Sequence, residues 1–376
     1  MRFIAAVLEN PKGNFARLCE QFGISRTKGY KCVARYKELG PAGLEDRKPV
    51  PKTCPHKTPD SVVDVVLELR KKHPFDGPKK LRSMMLDMAG DELVVPAAST
   101  IGDILARHGL VRPRRARLRV PPSTQPLGHA VEPNDVWCTD FKGHFPLGDG
   151  ARCHPLTITD AATRYLVKCE ALVQPRHTPV REHFERAFRE FGLPRAIRSD
   201  NGPPFASKAV GGLSELSVWW IQLGILPERI EPGQPQQNGR HERFHRTLKE
   251  QTASPPLATM PDQQRAFDRF RADYNDRRPH EALGQTPPAK HYEPSSRPMP
   301  NRATPPAYSA DHDVRWISPS GVMRWKGDTL RVTTLLAKQP VGMKQISEDE
   351  WELHYGPVLL GHILLRNGKP VLERAA

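Results

Sequence analysis

The chain predicts a multidomain protein with a helical N-terminal third, an α/β centre on a mixed sheet and a small C-terminal β-barrel. Three observations lead there. The 376 residues exceed what one ordinary core takes. Two proline-rich stretches, RVPPSTQPLGHAVEP (Arg119 to Pro133) and EPSSRPMPNRATPPAYS (Glu293 to Ser309), lack apolar periodicity and read as extended linkers. Between and around them the pattern changes, from helical spacing to alternating strands and helices to short strands. The expected divisions are helix-turn-helix units at 1–50 and 58–118, a linker at 119–133, the α/β core at 134–292, a second linker at 293–310 and the barrel at 311–376.

In the first unit, FARLCEQFGISRTKGYKCVARY places Leu18 and Phe22 on one helix face. Gly23 permits a left-handed turn, and Ser25 can cap a second helix that turns Val33 and Tyr36 inward. That helix would expose Arg26, Thr27, Lys28, Lys31 and Arg35, donors suited to phosphates and guanine edges in a major groove. A generic helical hairpin with a solvated basic face fits the same residues. In the second unit Val62, Val65, Val66 and Leu69 form an apolar stripe. Ser99 is the expected cap of a helix with Ile101, Ile104 and Leu105 inward and Gly109 as its stop. VRPRRARLRV follows, and its Arg112, Arg114, Arg115, Arg117 and Arg119 read as an arm tracking a phosphate backbone.

The core begins with DVWCTDFKGHF, RCHPLTITD and YLVKCEALV as strands, then TPVREHFERAFREFG as a helix and RAIRSD as a fourth strand. Asp140 lies within the first strand, where a lone charge is costly unless it faces a cleft or a metal. Asp200 ends the fourth, the kind of position where open α/β sheets bind ligands. Glu242 stands in QPQQNGRHERFHRTLKE, on a helix whose Phe244 and Leu248 pack inward beside a polar face of Asn238, Glu242, His245, Arg246 and Lys249. Each acid has a plainer reading: an edge residue, a turn in SDNG, a surface pair of Glu242 with Arg246. Together, three carboxylates on a chain with net charge +15 are the oxygen ligands that two hard cations require near a phosphodiester.

The charge itself, 57 Lys and Arg against 42 Asp and Glu, favours a polyanionic partner. The six cysteines, Cys19, Cys32, Cys54, Cys138, Cys153 and Cys169, form no C-x-x-C pair, so neither a disulfide framework nor a zinc knuckle is indicated. No stretch approaches the roughly 20 apolar residues of a membrane span. A cytoplasmic protein with reduced thiols is expected.

VWCTDFKG, RSDNGPPF and QPQQNGRHERFHRTLK, in that order, resemble the three signature segments of insertion-sequence transposases with a retroviral-integrase-type catalytic core. The N-terminal segments are similar to the paired helix-turn-helix region of one branch of that group. The resemblance implies an RNase H-like core and an Asp, Asp, Glu active site at Asp140, Asp200 and Glu242, holding two Mg²⁺ or Mn²⁺ ions. It implies 3′-end cleavage and strand transfer on double-stranded DNA, a homo-oligomer on that DNA and, as an open possibility, a helper ATPase. Asn238, Arg240, Arg246 and Lys249 are the expected backbone contacts beside the metals. One departure stands out: 41 residues separate Asp200 from Glu242, where the family more usually has about thirty-five. The excess is expected in a mobile loop, PPFASKAVGGLS; were it in a strand or helix, Glu231 would compete with Glu242. In the C-terminal piece Trp316, Arg324, Trp325 and Lys326 are either DNA contacts or, for the aromatic residues, core.

Overall fold

Side-chain caps start the first helices of the computed structural model, which describes residues 2–11, 13–45, 57–89, 94–111, 127–230, 239–366 and 368–375. The chain divides into two compact units, Met1–Pro59 and Asp60–Ala376.

The first unit packs α1 (Arg2–Glu9), α2 (Phe15–Gln21) and α3 (Arg26–Leu39) together. Asn14 caps α2, and Ser25 caps α3 by accepting from the Lys28 N–H at 3.2 Å. Between α2 and α3 Gly23 takes the left-handed turn, at φ 62°. Phe22 stays largely exposed but meets Phe3 edge-on, with centroids 5.6 Å apart.

The second unit opens with α4 (Asp60–Lys72), α5 (Pro78–Met88) and α6 (Ala98–Arg107) around Val62, Val66, Leu69, Leu81, Met85, Ile101 and Leu105. The apolar stripes are where the spacing puts them. Ser99, the expected cap, instead lies inside α6: the Ile101 N–H already donates to the Ala97 carbonyl at 3.0 Å, which draws the first turn back by one or two residues.

The mixed sheet contains β1 (Val136–Phe141), β2 (Phe145–Pro146), β3 (Arg152–Asp160), β4 (Leu166–Leu172), β5 (Ala196–Ser199) and β6 (Leu226–Arg229). Strands β4, β3, β1, β5 and β6 lie side by side, and β2 pairs with the start of β3. The β4–β3 and β3–β1 pairs are antiparallel, while β1–β5 and β5–β6 are parallel. Strand β6, sequence LPER, was not foreseen because its proline and charges hide the apolar pattern.

Helices cover both faces. Trp137, Leu156, Ile158 and Ile197 point to α7 (His177–Phe191) and α8 (Glu215–Gln222), which bury Phe184, Phe188, Trp219 and Trp220. Cys153, Leu166 and Cys169 point the other way, to α9 (Gly239–Thr252) and α10 (Met260–Asp276), which contribute Phe244, Leu248, Phe267 and Tyr274. Alternation sorts these sets along β1 and β3, and in β4 the bulge opposite Ile158 and Thr159 puts Leu166 and Cys169 on one face.

Two expectations about connections change. The loop expected to be mobile is packed: Phe205, Ala206, Val210 and Leu213 are buried, and Val210 and Leu213 enter the core of the C-terminal sheet. Enough apolar surface lies in PPFASKAVGGLS to fix it. The second linker is extended as expected but bound to the core. Arg297 donates to the carbonyls of Pro194 at 2.8 Å and Gly224 at 2.7 Å, and Met299 and Ala303 pack on the apolar core.

The C-terminal barrel is also corrected. Strands β7 (Asp313–Trp316), β10 (Pro340–Ser347), β11 (Glu350–Tyr355), β12 (Val358–Arg366) and β13 (Lys369–Arg374) form an open antiparallel sheet with β7 and β13 at its edges. A separate hairpin, β8 (Val322–Trp325) with β9 (Asp328–Arg331), adds Met323, Trp325 and Leu330 to the same core. Side-chain packing, not strand pairing, joins the hairpin to the sheet, so the sheet does not close.

Leu213→Ala should therefore destabilise the second unit by about 2–5 kcal/mol, the cost of an unfilled core site. Denaturant unfolding followed by tryptophan fluorescence would measure it; a change near zero would mean a loosely held loop.

Candidate active site

The parallel pairing of β1 with β5 sets the geometry. Val136, Trp137 and Cys138 stand opposite Ala196, Ile197 and Arg198. The same offset carried two residues further brings Asp140, near the end of β1, level with Asp200, just past the end of β5. Trp137 and Ile197 face α7 and α8, so by alternation Asp140 and Asp200 face the α9 side. Both carboxylates thus sit at the carboxyl ends of adjacent parallel strands.

Asp200 is half-buried. Burial raises its pKa above the ordinary carboxylate range, opposed by a hydrogen bond from the Gly202 backbone N–H. Its Oδ1 is buried without a hydrogen-bond partner. Gly202 gives the carboxylate room, since a Cβ there would lie 3.1 Å from Asp200 Oδ2. Asn201 fixes the turn by donating to the Ile230 carbonyl at 2.8 Å.

Asp140 is joined to α9 by Thr157 and His245, neither of which the sequence singled out as a site residue. The Thr157 hydroxyl donates to the Asp140 carbonyl at 3.1 Å and lies 2.9 Å from His245 Nε2. With the hydroxyl proton so committed, Nε2 is the protonated nitrogen and donates to Thr157. His245 Nδ1 is left as an acceptor 3.9 Å from Asp140 Oδ2. Both groups lie on the side of the sheet that Asp200 also faces. Burial, with His241 and Lys142 adding to it, pushes the His245 pKa down to about 2; burial and Arg164 push that of His241 to about 4. Both imidazoles are neutral at pH 7. The i, i+4 histidines flanking Phe244 were the available sequence signal.

Glu242 lies in the first turn of α9, where a carboxylate favours the helix dipole. The buried face of α9 is His241, Phe244, His245 and Leu248; Glu242 is exposed on its flank. Among the described residues it forms no ion pair, so the surface pair with Arg246 is not present. Asp140 and Asp200 are thus brought together by the sheet, while Glu242 remains at the solvent edge. Among the described residues no group of three or more His, Cys, Asp and Glu is gathered tightly enough to hold a metal ion.

Of the expected DNA contacts, Arg26, Thr27, Lys28 and Lys31 are exposed on α3, and Arg246 and Lys249 are exposed on α9. Arg35 departs from expectation: it is half-buried and its guanidinium donates to the Glu45 carbonyl, holding the turn after α3. Arg112, Arg114, Arg115, Arg117, Asn238 and the competing acid Glu231 lie outside the described residues, as does the side chain of Arg240. In the C-terminal sheet Trp325 is core with Lys326 over its ring at 4.8 Å, while Trp316 is exposed.

Two models of the integrase core domain match residues 130–235 and 223–288, and a homeodomain-like domain matches residues 28–105. The chain is 31% identical over 181 residues to an uncharacterized 31.7 kDa protein of insertion element IS407 from Burkholderia multivorans, covering 48% of this chain and 63% of that one. It is 34% identical over 181 residues to an uncharacterized 39.2 kDa protein of insertion element IS476 from Xanthomonas euvesicatoria, covering 48% and 50%. Over 180 residues it is 28% identical to the Gag-Pol polyprotein of baboon endogenous virus, covering 47% and 10%. The match thus spans less than two thirds of either insertion-element protein. The fold and these matches define a protein with an integrase core behind a helix-turn-helix segment. Over about half its length the chain is similar to proteins of insertion elements, and it carries the integrase core domain and a homeodomain-like domain.

The neutral histidines give a pH prediction. Unfolded, each takes a proton near pH 6.5; folded, His241 resists until about 4 and His245 until about 2. Below pH 6.5 the unfolded state binds more protons, so stability falls as pH drops from 7 to 5. His241→Gln with His245→Gln should flatten that slope in denaturant titrations; an unchanged slope would mean that these imidazoles titrate normally.

Proposed function

We propose that this chain is a DNA transposase that binds the ends of a mobile element, cleaves them to free 3′ hydroxyls and joins those ends to target DNA. The observation that carries the proposal is the level placement of Asp140 and Asp200 at the ends of adjacent parallel strands, beneath the helix that carries Glu242.

Asp140, Asp200 and Glu242 would hold two Mg²⁺ or Mn²⁺ ions. Carboxylate oxygen donors, among them the unbonded Asp200 Oδ1, fit hard divalent cations. Bound there, such ions would activate water at neutral pH and stabilise the charge on the scissile phosphate. The chain's own part is positional. Parallel pairing fixes two carboxylates, and Thr157 with His245 fixes the backbone beneath one of them. Asn238, Arg240, Arg246 and Lys249 hold the DNA backbone. Arg26, Thr27, Lys28 and Lys31 on α3 read the element's ends, and the arginine run from Arg112 to Arg119 follows a phosphate backbone. Joining two ends calls for a homo-oligomer on DNA. The DNA acted on is cytoplasmic in this reading; no helix among the described residues is long and apolar enough to cross a membrane.

The test supplies pre-cleaved element ends, target plasmid and Mg²⁺, and compares the wild type with Asp140→Asn, Asp200→Asn and Glu242→Gln. Joining by the wild type is expected, with each variant losing more than the roughly 10–100-fold that removal of a metal site's outer partners costs. Cleavage without joining would identify a nuclease, and binding without either a regulator; both results would contradict the proposal.

A further inference from the structure

A second polar cleft lies on the other side of α9, where the second helical unit meets the core. Helix α5 and the turn before it dock on the chain after α10: Lys79 Nζ with Glu281 at 2.6 Å, the Ser83 hydroxyl with the Gln285 carbonyl at 2.9 Å, and Asp76, in the turn, with Arg278 at 3.0 Å. Between these elements remains a cavity of about 400 Å³, lined by Lys80, Arg164, Arg243, Arg278 and His280 among others.

Its charge is out of balance. Lys79, Lys80, Arg243 and Arg278 stand around the cavity, with Arg164 on its lining, against Asp76, Glu281 and Asp273, the last of which acts on Lys80. Glu281 is engaged by Lys79. Asp76 is 3% exposed and must serve both Lys80, at 3.5 Å, and Arg278. Arg278 is itself only 8% exposed, and although its Nη1 is drawn to Asp76 Oδ1, the angle makes no hydrogen bond, so both atoms lack one. The buried Nε2 of His280 is unbonded as well. Burying cations without matching acids is costly, and an anion with several acceptor oxygens would offset it. The strain already shows at Lys80, whose pKa is lowered to about 8 by burial and then by Arg278.

We propose that this cleft seats a phosphate of the DNA backbone, clamped between Lys80 of the second helical unit and Arg243 and Arg278 of the core. Phosphate fits better than a carboxylate because it offers acceptors on several sides to guanidinium and ammonium groups converging from three elements. Arg243 follows Glu242 on α9, so DNA held here leads directly to the proposed active site. The proposal rests on the transposase reading and adds to it a fixed contact that spans the second helical unit and the core.

The test uses the full chain, random-sequence duplex DNA and anisotropy titrations across a salt series. Lys80→Gln with Arg243→Gln, and Arg243→Gln alone as a variant that leaves Asp76 paired, should bind all sequences more weakly. Their slope of log affinity against log salt should fall by about one for each phosphate that the variant no longer holds. Unchanged slopes in the cleft variants, with DNA still bound, would overturn the clamp and leave the transposase reading intact. A wild type that binds no DNA would overturn that reading and the clamp with it. Inorganic phosphate provides the second arm. A melting temperature raised by phosphate in the wild type alone, with unchanged DNA slopes, would assign the cleft to a free phosphate and refute the DNA contact.

Discussion

Parallel pairing of β1 with β5 is the constraint from which the site follows. Neither strand is long, and neither acid is unusual in its own segment. The hydrogen-bond register makes neighbours of Asp140 and Asp200, which lie far apart in the sequence, and side-chain alternation turns both toward α9. A slip of one residue would send Asp140 into the face where Trp137, Phe184 and Trp220 pack. The aromatic core beneath the sheet thus holds the register, and the register holds the acids.

The opposite side of the sheet is organised differently. Helices α7 and α8 pack through aromatic side chains, whereas α9 adds to Phe244 and Leu248 a polar contact of histidines, a threonine hydroxyl and a carboxylate. Neutral imidazoles allow that contact: a protonated His245 would place a buried charge beside Asp140, while the neutral ring donates to Thr157 and keeps an acceptor toward the acid. Lys142 and Arg164 approach these histidines from the sheet side, while Arg246 and Lys249 stand on the exposed flank of α9 and Arg243 and Arg278 line the cleft behind it.

Much of this was legible in the sequence. Apolar spacing located α4, α6, α7 and the strands β1, β3, β4 and β5, because burial on one face leaves a period that can be counted. Strand β6 escaped because LPER is held by pairing with β5, not by its own pattern. The loop at PPFASKAVGGLS looked mobile because glycine and proline are visible in sequence, while the sheet that buries Val210 and Leu213 begins about a hundred residues later. The barrel was inferred from strand count, which says nothing of whether the edges β7 and β13 meet. At the site, Asp140 and Asp200 could be singled out one by one, but their alignment needed the register. His245 could not be told from a core histidine without the partner strand, and the clamp of Lys80 with Arg278 joins residues nearly two hundred apart.

Binding of Mn²⁺ to the full chain on an element-end duplex, followed by electron paramagnetic resonance, tests most directly whether distant carboxylates share metal ions. The wild type is expected to take up ions that Asp140→Asn and Asp200→Asn each fail to retain, with DNA binding unchanged. Equal Mn²⁺ uptake by the wild type and by a chain carrying both substitutions would contradict it.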